Sequence, residues 1–312
     1  MNLENQVVSI IVRTNTINRL CLLKNALSSI ITNDYRPIEI IVVAQSEQQN
    51  FIQAVQSICQ EITANQVQIN LVINNTSQDE RAKNLNLGMK ASNGRYIGFL
   101  DDDDIIYSNH ISLLIEALKQ SEITAWAYSQ TVIKICHYDE KAGVNIISSE
   151  NSMIPNKFSL EEFVMEKFNI PIHSYLIDRL KIKADMLYVD ESLRVMEDYC
   201  FILKIACQYE PVYINNVTCE YRFYTDASNS SFYINQILGV NYIEKAKIWQ
   251  EASKKVEKLK RELLPNYSPN LISVNQRKFL LARFAFLYRI KIKFPKIWKF
   301  LMTIAVKLKL IN

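Results

Sequence analysis

Four consecutive carboxylates, Asp101-Asp102-Asp103-Asp104, stand at the end of the apolar run Gly94-Arg95-Tyr96-Ile97-Gly98-Phe99-Leu100. Adjacent carboxylates repel one another unless a cation or solvent relieves them. Oxygen-only ligands suit Mg2+ or Mn2+, ions that commonly join protein carboxylates to a substrate's phosphates. Taken alone, the tetrad reads equally as a solvated acidic turn. A second acidic pair, Glu197-Asp198, lies about 95 residues on, ahead of Phe201, Ile202, Ile205 and Ala206 at helical spacing. Carboxylates in the first turn of a helix also complement its dipole, so this pair has a purely structural reading as well. Other chemistry is thinly represented. The three histidines, His110, His137 and His173, show no H-E-x-x-H spacing, and the six cysteines form no C-x-x-C pair, so a zinc site is not expected. With five glycines, neither G-x-G-x-x-G nor G-x-x-x-x-G-K-[ST] can be assembled.

An apolar run that ends abruptly in charge predicts a buried strand opening into a polar crevice. In open α/β sheets, that crevice is where ligands bind. The chain before it repeats one pattern. Val7–Val12 predicts a buried strand and Leu20, Leu23, Leu27 and Ile30 a helix to about Thr32. Ile38–Val43 and Val67–Ile73 predict further strands, 51–62 and 79–91 helices, and Tyr96–Leu100 the strand that leads into the tetrad. Strands alternating with helices predict an α/β fold with a doubly wound, mostly parallel, Rossmann-like sheet. Beyond the tetrad, Ser108 is placed to cap a helix running to about Gln120. Trp126–Cys136 and Val144–Ile147 read as strands, Ser159-Leu160-Glu161-Glu162 as a capping box, and Ile170–Ser174 as a loop. Val212–Ile214 and Thr218–Tyr224 read as short strands, and residues 234–264 as a long helix. We divide the chain into a catalytic domain, residues 1–230, and a helical extension, residues 231–312.

The totals, 49% hydrophobic and 22% charged residues, are those of a globular protein. No apolar run is long enough to span a bilayer. The N-terminus lacks the basic start and cleavage site of a secretory signal. The cysteines sit mostly in apolar surroundings and read as reduced residues of a cytosolic protein. The net charge of +4 conceals two surfaces. Asp and Glu end at Glu262, and ten of the 36 basic residues lie beyond it, so residues 1–262 carry 26 basic against 32 acidic groups, −6, and the tail +10. Phe279, Phe284, Tyr288, Trp298 and Phe300 interleave with those basic groups, which predicts an amphipathic segment, 275–312, lying on an anionic membrane surface; packing on the catalytic domain is the competing reading. No nucleic-acid motif is present, so nucleic acid is not an expected partner.

The order of motifs resembles that of the GT-A nucleotide-sugar glycosyltransferases, in particular glycosyltransferase family 2. Ser9–Thr14 followed by Asn18-Arg19 looks like the family's first strand and nucleotide loop, and Glu39–Val43 like its second strand. Arg81-Ala82-Lys83-Asn84, then Gly88, Ala91, Gly94, Tyr96 and Ile97, is similar to the segment that leads into the D-x-D motif, whose place the tetrad takes. Glu197-Asp198 falls where the family keeps its catalytic acidic pair. The resemblance covers roughly residues 6–225. Two features depart from it. The second strand ends in Ala44-Gln45-Ser46 where acidic residues are usual, and Tyr224 stands where many members have histidine. The Gln-x-x-Arg-Trp motif of processive synthases is absent, which favours one sugar per encounter.

The resemblance implies an inverting transfer from a nucleoside-diphosphate sugar, UDP-linked in first expectation, to a glycan or lipid-linked hydroxyl in cell-surface polysaccharide assembly of bacterial type. It implies Asp198 as general base with Glu197 orienting it. Asp103, together with Asp101, would hold Mn2+ or Mg2+. Thr14, Arg13, Gln45, Arg81, Asp101 and Asp102 would meet the donor, and His173 and Ser174 the acceptor. Bland readings stand beside these: Asp104 as a helix cap, Arg81 in a surface salt bridge, and His173 as a structural histidine. The expected location is cytoplasmic, peripheral to the inner face of the plasma membrane, and a homo-oligomer is compatible with the sequence. A catalytically silent relative, acting as a partner in a glycan-assembly complex, is the alternative that Ala44-Gln45 keeps open.

Overall fold

The computed structural model describes residues 4–63, 67–120, 122–139, 143–151, 157–224 and 242–265. The tail, 275–312, lies outside them, as does the start of the long helix predicted from residue 234. Strands β1 (Glu4–Thr14), β2 (Ile38–Gln45), β3 (Gln68–Asn74) and β4 (Gly94–Asp101) alternate with helices α1 (Leu20–Ile31), α2 (Gln49–Thr63) and α3 (Arg81–Ala91). All pairings among these four strands are parallel, in the order β3-β2-β1-β4. Side chains alternate faces along a strand, and here both faces are covered. Val8, Ile10 and Val12 of β1 face a cluster with Leu23 and Leu27 of α1, Val55 of α2 and Leu114 of helix α4 (His110–Lys119). Ile11, between them, faces the opposite cluster with Leu85 of α3 and Phe201 of helix α6 (Glu197–Ala206). This is the doubly wound arrangement that the strand–helix alternation predicts.

Past β4 the sheet changes character. Strand β8 (Tyr175–Asp178) inserts antiparallel beside β4, and β6 (Trp126–Asp139), β9 (Val212–Tyr224) and the two-residue β5 (Ile105–Ile106) continue the order, with β7 (Gly143–Asn151) hairpinned on β6. β8 was not legible in the sequence: four residues, all buried, are too few to show a period. A fork of Arg95 onto Asp178, 3.0 and 2.7 Å, ties it to β4. The two predicted strands at 212–214 and 218–224 are one strand, β9. α4 begins after Asn109, whose side chain makes no capping hydrogen bond, so neither Ser108 nor Asp104 caps it. Ser159 does accept from the Glu162 N–H at the head of α5 (Leu160–Val164), as the capping box requires.

Close approaches fix the strand that carries the tetrad. A Cβ at Gly94 would lie 2.6 Å from the Val7 carbonyl oxygen, and one at Gly88 would meet Ile11 at 2.3 Å. The buried Glu39 carboxylate accepts from Ser9 Oγ and from the N–H groups of Asn93 and Gly94, at 2.5, 2.6 and 3.1 Å, pinning the entry to β4. Helix α7 (Tyr242–Leu263) packs Ala252 and Val256 into the cluster shared with α6. Its Lys260 is fully buried, 2.8 Å from Glu166 and 5.7 Å from the Tyr199 ring centroid. Cys59, Cys136, Cys200 and Cys219 are buried, whereas Cys21 is exposed. Among the described residues, no helix is long and apolar enough to cross a membrane.

Candidate active site

β1 and β4 run in parallel register with Arg13 opposite Asp101, so the loop after β1 and the acidic turn after β4 emerge side by side. Opposite charges meet there. Arg13 donates to both oxygens of Asp101, at 2.5 and 3.1 Å, and to Glu197 Oε1 at 2.8 Å. One guanidinium thus joins β1, β4 and the head of α6. Thr14 Oγ1 donates to Asp102 Oδ2 at 2.7 Å. Arg19, in the single 3-10 turn before α1, donates to Asp102 Oδ1 at 2.8 Å and to Asp103 Oδ2. Asp104 is buried rather than capping a helix. Its Oδ1 accepts from the Arg222 N–H at 2.7 Å, and its Oδ2 lies 2.9 Å from His173 Nδ1. That last contact is close but not aligned as a hydrogen bond, and it is an ion pair only when the imidazole is protonated.

The carboxylates differ in their surroundings. Burial would raise the Asp101 carboxyl, but Arg13 outweighs it and holds Asp101 below the usual range. Burial, joined by repulsion from Asp104, Asp102 and Asp101, pushes Asp103 well up despite Arg19. Burial would lower His173, yet Asp104 outweighs it and keeps the imidazole raised. Oxygens of Asp101, Asp103 and Asp104 lie within 4.8 Å of one another. An all-carboxylate donor set at this spacing fits a hard divalent cation.

Asp198 stands in the first turn of α6, which the left-handed Met196 (φ 63°) leads into. Burial, then the Glu197 charge, pushes its carboxyl up to about 6. The Tyr199 N–H donates to its Oδ1 at 2.7 Å, and the residue as a whole is half-buried. Glu197 is itself buried against Arg13.

Several residues lie elsewhere than the sequence reading placed them. His173 and Ser174 are not on an open loop: they are 1% and 0% exposed, Ser174 Oγ donates to the Pro171 carbonyl at 2.7 Å, and Tyr221 stacks over His173 at 5.9 Å. Neither offers surface to an acceptor in this fold. Gln45 is also buried, its Oε1 accepting from Asn84 at 2.6 Å and its Nε2 donating to the Gln78 carbonyl, so its amide is already engaged at both ends. Arg81 sits at the rim, paired with Asp79 at 3.2 Å, and Glu197 acts on its charge. Arg19 as a counter-ion was not legible from local pattern. Charge balance was the available signal: four carboxylates need cations, and Arg19 lies on the loop after the strand parallel to β4.

An α/β sheet, doubly wound over β1–β4, with an acidic turn at the C-terminal end of β4 and an antiparallel strand inserted beside it, defines the GT-A class of glycosyltransferase fold. The profile of Glycosyl transferase family 2 matches residues 10–174, more than half of the chain, and the chain belongs to that family. The match takes in the tetrad and stops short of Glu197-Asp198. The GalNAc(5)-diNAcBac-PP-undecaprenol beta-1,3-glucosyltransferase of Campylobacter jejuni is 29% identical over 157 residues, 49% of this chain and 47% of that protein. The chain therefore spans about half the length of this curated relative. Two solved structures share the fold at a TM-score of 0.53: S. aureus TarS in complex with UDP-GlcNAc, at 16% identity over 90% of this chain and 80% of that one, and the mannosyltransferase PcManGT of Pyrobaculum calidifontis in complex with GDP-Man and Mn2+, at 14% identity over 99% and 82%.

Proposed function

We propose that the protein transfers one sugar, with inversion, from a nucleoside-diphosphate sugar to a hydroxyl of a glycan or lipid-linked acceptor, in cell-surface polysaccharide assembly. The observation that carries this is Arg13, whose guanidinium brings Asp101 and Glu197, 96 positions apart in the chain, to one point beside the partly exposed Asp198. A family 2 fold with an acidic turn on one side and a carboxylate of raised pKa on the other has the parts the transfer needs. A UDP-sugar is the favoured donor, in keeping with the ligand of the TarS structure. The lipid-linked acceptor class takes its support from the name of the Campylobacter relative.

Asp103 and Asp101, with Asp104 beside them, would hold a divalent cation, which when bound supplies neutralisation of the leaving diphosphate. The chain's own groups do the rest. Thr14 and Asp102 shape the floor of the donor site, with Arg81 at its rim. Asp198 takes the proton from the acceptor hydroxyl as that oxygen bonds to the anomeric carbon and the bond from that carbon to the diphosphate oxygen breaks. A single displacement of this kind inverts the anomeric centre. Glu197, fixed by Arg13, holds the start of α6 and with it Asp198. The experiment is release of nucleoside diphosphate from a panel of UDP- and GDP-sugars with Mn2+ and a polyprenyl-diphosphate-linked glycan, with the product anomer read by NMR. A protein that binds donors but transfers from none would instead be the silent partner.

The membrane reading concerns residues 275–312. Deleting them is expected to leave a folded protein, since α7 ends before them and packs on α6. Binding to anionic vesicles is expected to be lost, because each basic group near such a surface contributes on the order of 1 kcal/mol. Co-sedimentation at low and high salt checks this; full-length protein that ignores anionic vesicles at low salt would refute it. With that attachment the protein works at the cytoplasmic face of the membrane, residues 1–230 forming the catalytic unit and 231–312 the extension.

A further inference from the structure

Every carboxylate of the tetrad already has a basic side chain or hydroxyl facing it, and the partners are not equally fixed. Arg13 is also held by Glu197 and by the Arg81 carbonyl at 3.4 Å. His173 is buried under Tyr221. Arg19 differs from both. It sits outside the sheet on a three-residue turn, its side chain is 20% exposed, and its guanidinium bonds only Asp102 and Asp103 among the described residues. Of these three partners, it alone stands on an exposed turn rather than between core elements.

A guanidinium stays charged at any working pH, so it cannot share the Asp103 carboxylate with a divalent cation by giving up a proton. A diphosphate, which pairs with arginine bidentately, suits its fork better than a carboxylate it must share with a metal ion. We propose that Arg19 is a displaceable counter-ion: it bonds Asp103 Oδ2 in the free protein and passes to the donor's diphosphate when cation and nucleotide arrive together. This rests on the reading of Asp103 as a metal ligand. Two consequences follow. The cation alone competes with Arg19 and binds weakly. Nucleotide offers Arg19 a new partner, so each ligand tightens the other, and by linkage the two enhancements are equal.

The test is calorimetric titration of Mn2+ into full-length wild type, Arg19→Met and Arg19→Lys, with and without UDP, at constant ionic strength. Without nucleotide, Arg19→Met is expected to bind Mn2+ about tenfold more tightly than wild type, and the enhancement by UDP to shrink about tenfold. Arg19→Lys, a point charge without the guanidinium's bidentate fork, is expected to lie between them; it keeps the charge of the site and decides the matter if the methionine variant does not fold by circular dichroism. Equal Mn2+ affinities and equal enhancement by UDP in the folded proteins would overturn the proposal while leaving the metal site standing. Absence of Mn2+ binding in all of them, with and without UDP, would overturn the metal reading and this proposal with it.

Discussion

Asp198→Asn is expected to lower kcat by about 10²–10⁴-fold, the range a positioned general base contributes, with donor affinity changed little. The amide can still accept from the Tyr199 N–H at the position where Oδ1 now does, so the first turn of α6 keeps its bond, but it cannot take a proton. The pH profile gives an independent reading. Asp198 must be ionised to act, and its carboxyl is pushed up to about 6, so wild-type kcat should fall as pH drops through about 6. The variant's residual rate should lack that limb. Stability should move the opposite way from activity. The native pKa lies above that of the unfolded chain, so the native state binds more protons between roughly pH 4 and 6 and loses stability as pH rises through that window. At neutral pH, the buried charge costs on the order of 2 kcal/mol, and the amide removes this cost. Thermal unfolding at pH 7.5 should therefore show Asp198→Asn melting a few degrees above wild type, an advantage that disappears near pH 4. A variant with near-normal kcat at saturating donor would take Asp198 out of the role.

The parallel half of the fold was legible because β1, β2 and β4 are buried on both faces and write their signal as continuous apolar runs. The antiparallel half was less so. β8 is four residues long, and β9 was read as two strands because the Asn215-Asn216 stretch between its apolar ends is polar and exposed. At the site, the acidic residues stood out in the sequence and their partners did not. Which arginine meets which carboxylate depends on strand register, and register across 88 positions, as between Arg13 and Asp101, is set by packing rather than by local pattern. The same limit explains His173 and Ser174. A segment punctuated by proline reads as a loop, but here Pro171 leads into β8, which the sheet buries together with the residues just before it. Gln45 shows a third case: a polar residue at a strand end reads as ligand-facing until Asn84 and Gln78 are seen to engage it.

Asp103→Ala is expected to abolish the part of nucleoside-diphosphate binding that depends on Mn2+. Wild type titrated with UDP should bind more tightly with Mn2+ than without; the variant should give one affinity under both conditions. The loss should exceed about 100-fold in the metal-dependent term, since even residues that only orient a metal's ligands cost up to that much when removed. The fold should survive the change. Asp103 is the carboxylate most disfavoured by its neighbours, pushed up by burial and by Asp104, Asp102 and Asp101, so its removal relieves repulsion rather than breaking a core contact. Arg19 keeps its 2.8 Å bond to Asp102, and Arg13 keeps Asp101 and Glu197 together, so α6 and its base stay in place. Melting temperature without metal should therefore match or exceed that of wild type, while the stabilisation by Mn2+ plus UDP, present in wild type because ligands that bind only the native state raise its stability, should be missing. A variant that Mn2+ and UDP together protect as well as they protect wild type would show that Asp103 does not hold the cation, and would move the ligand role to Asp101 and Asp104, the other two members of the cluster.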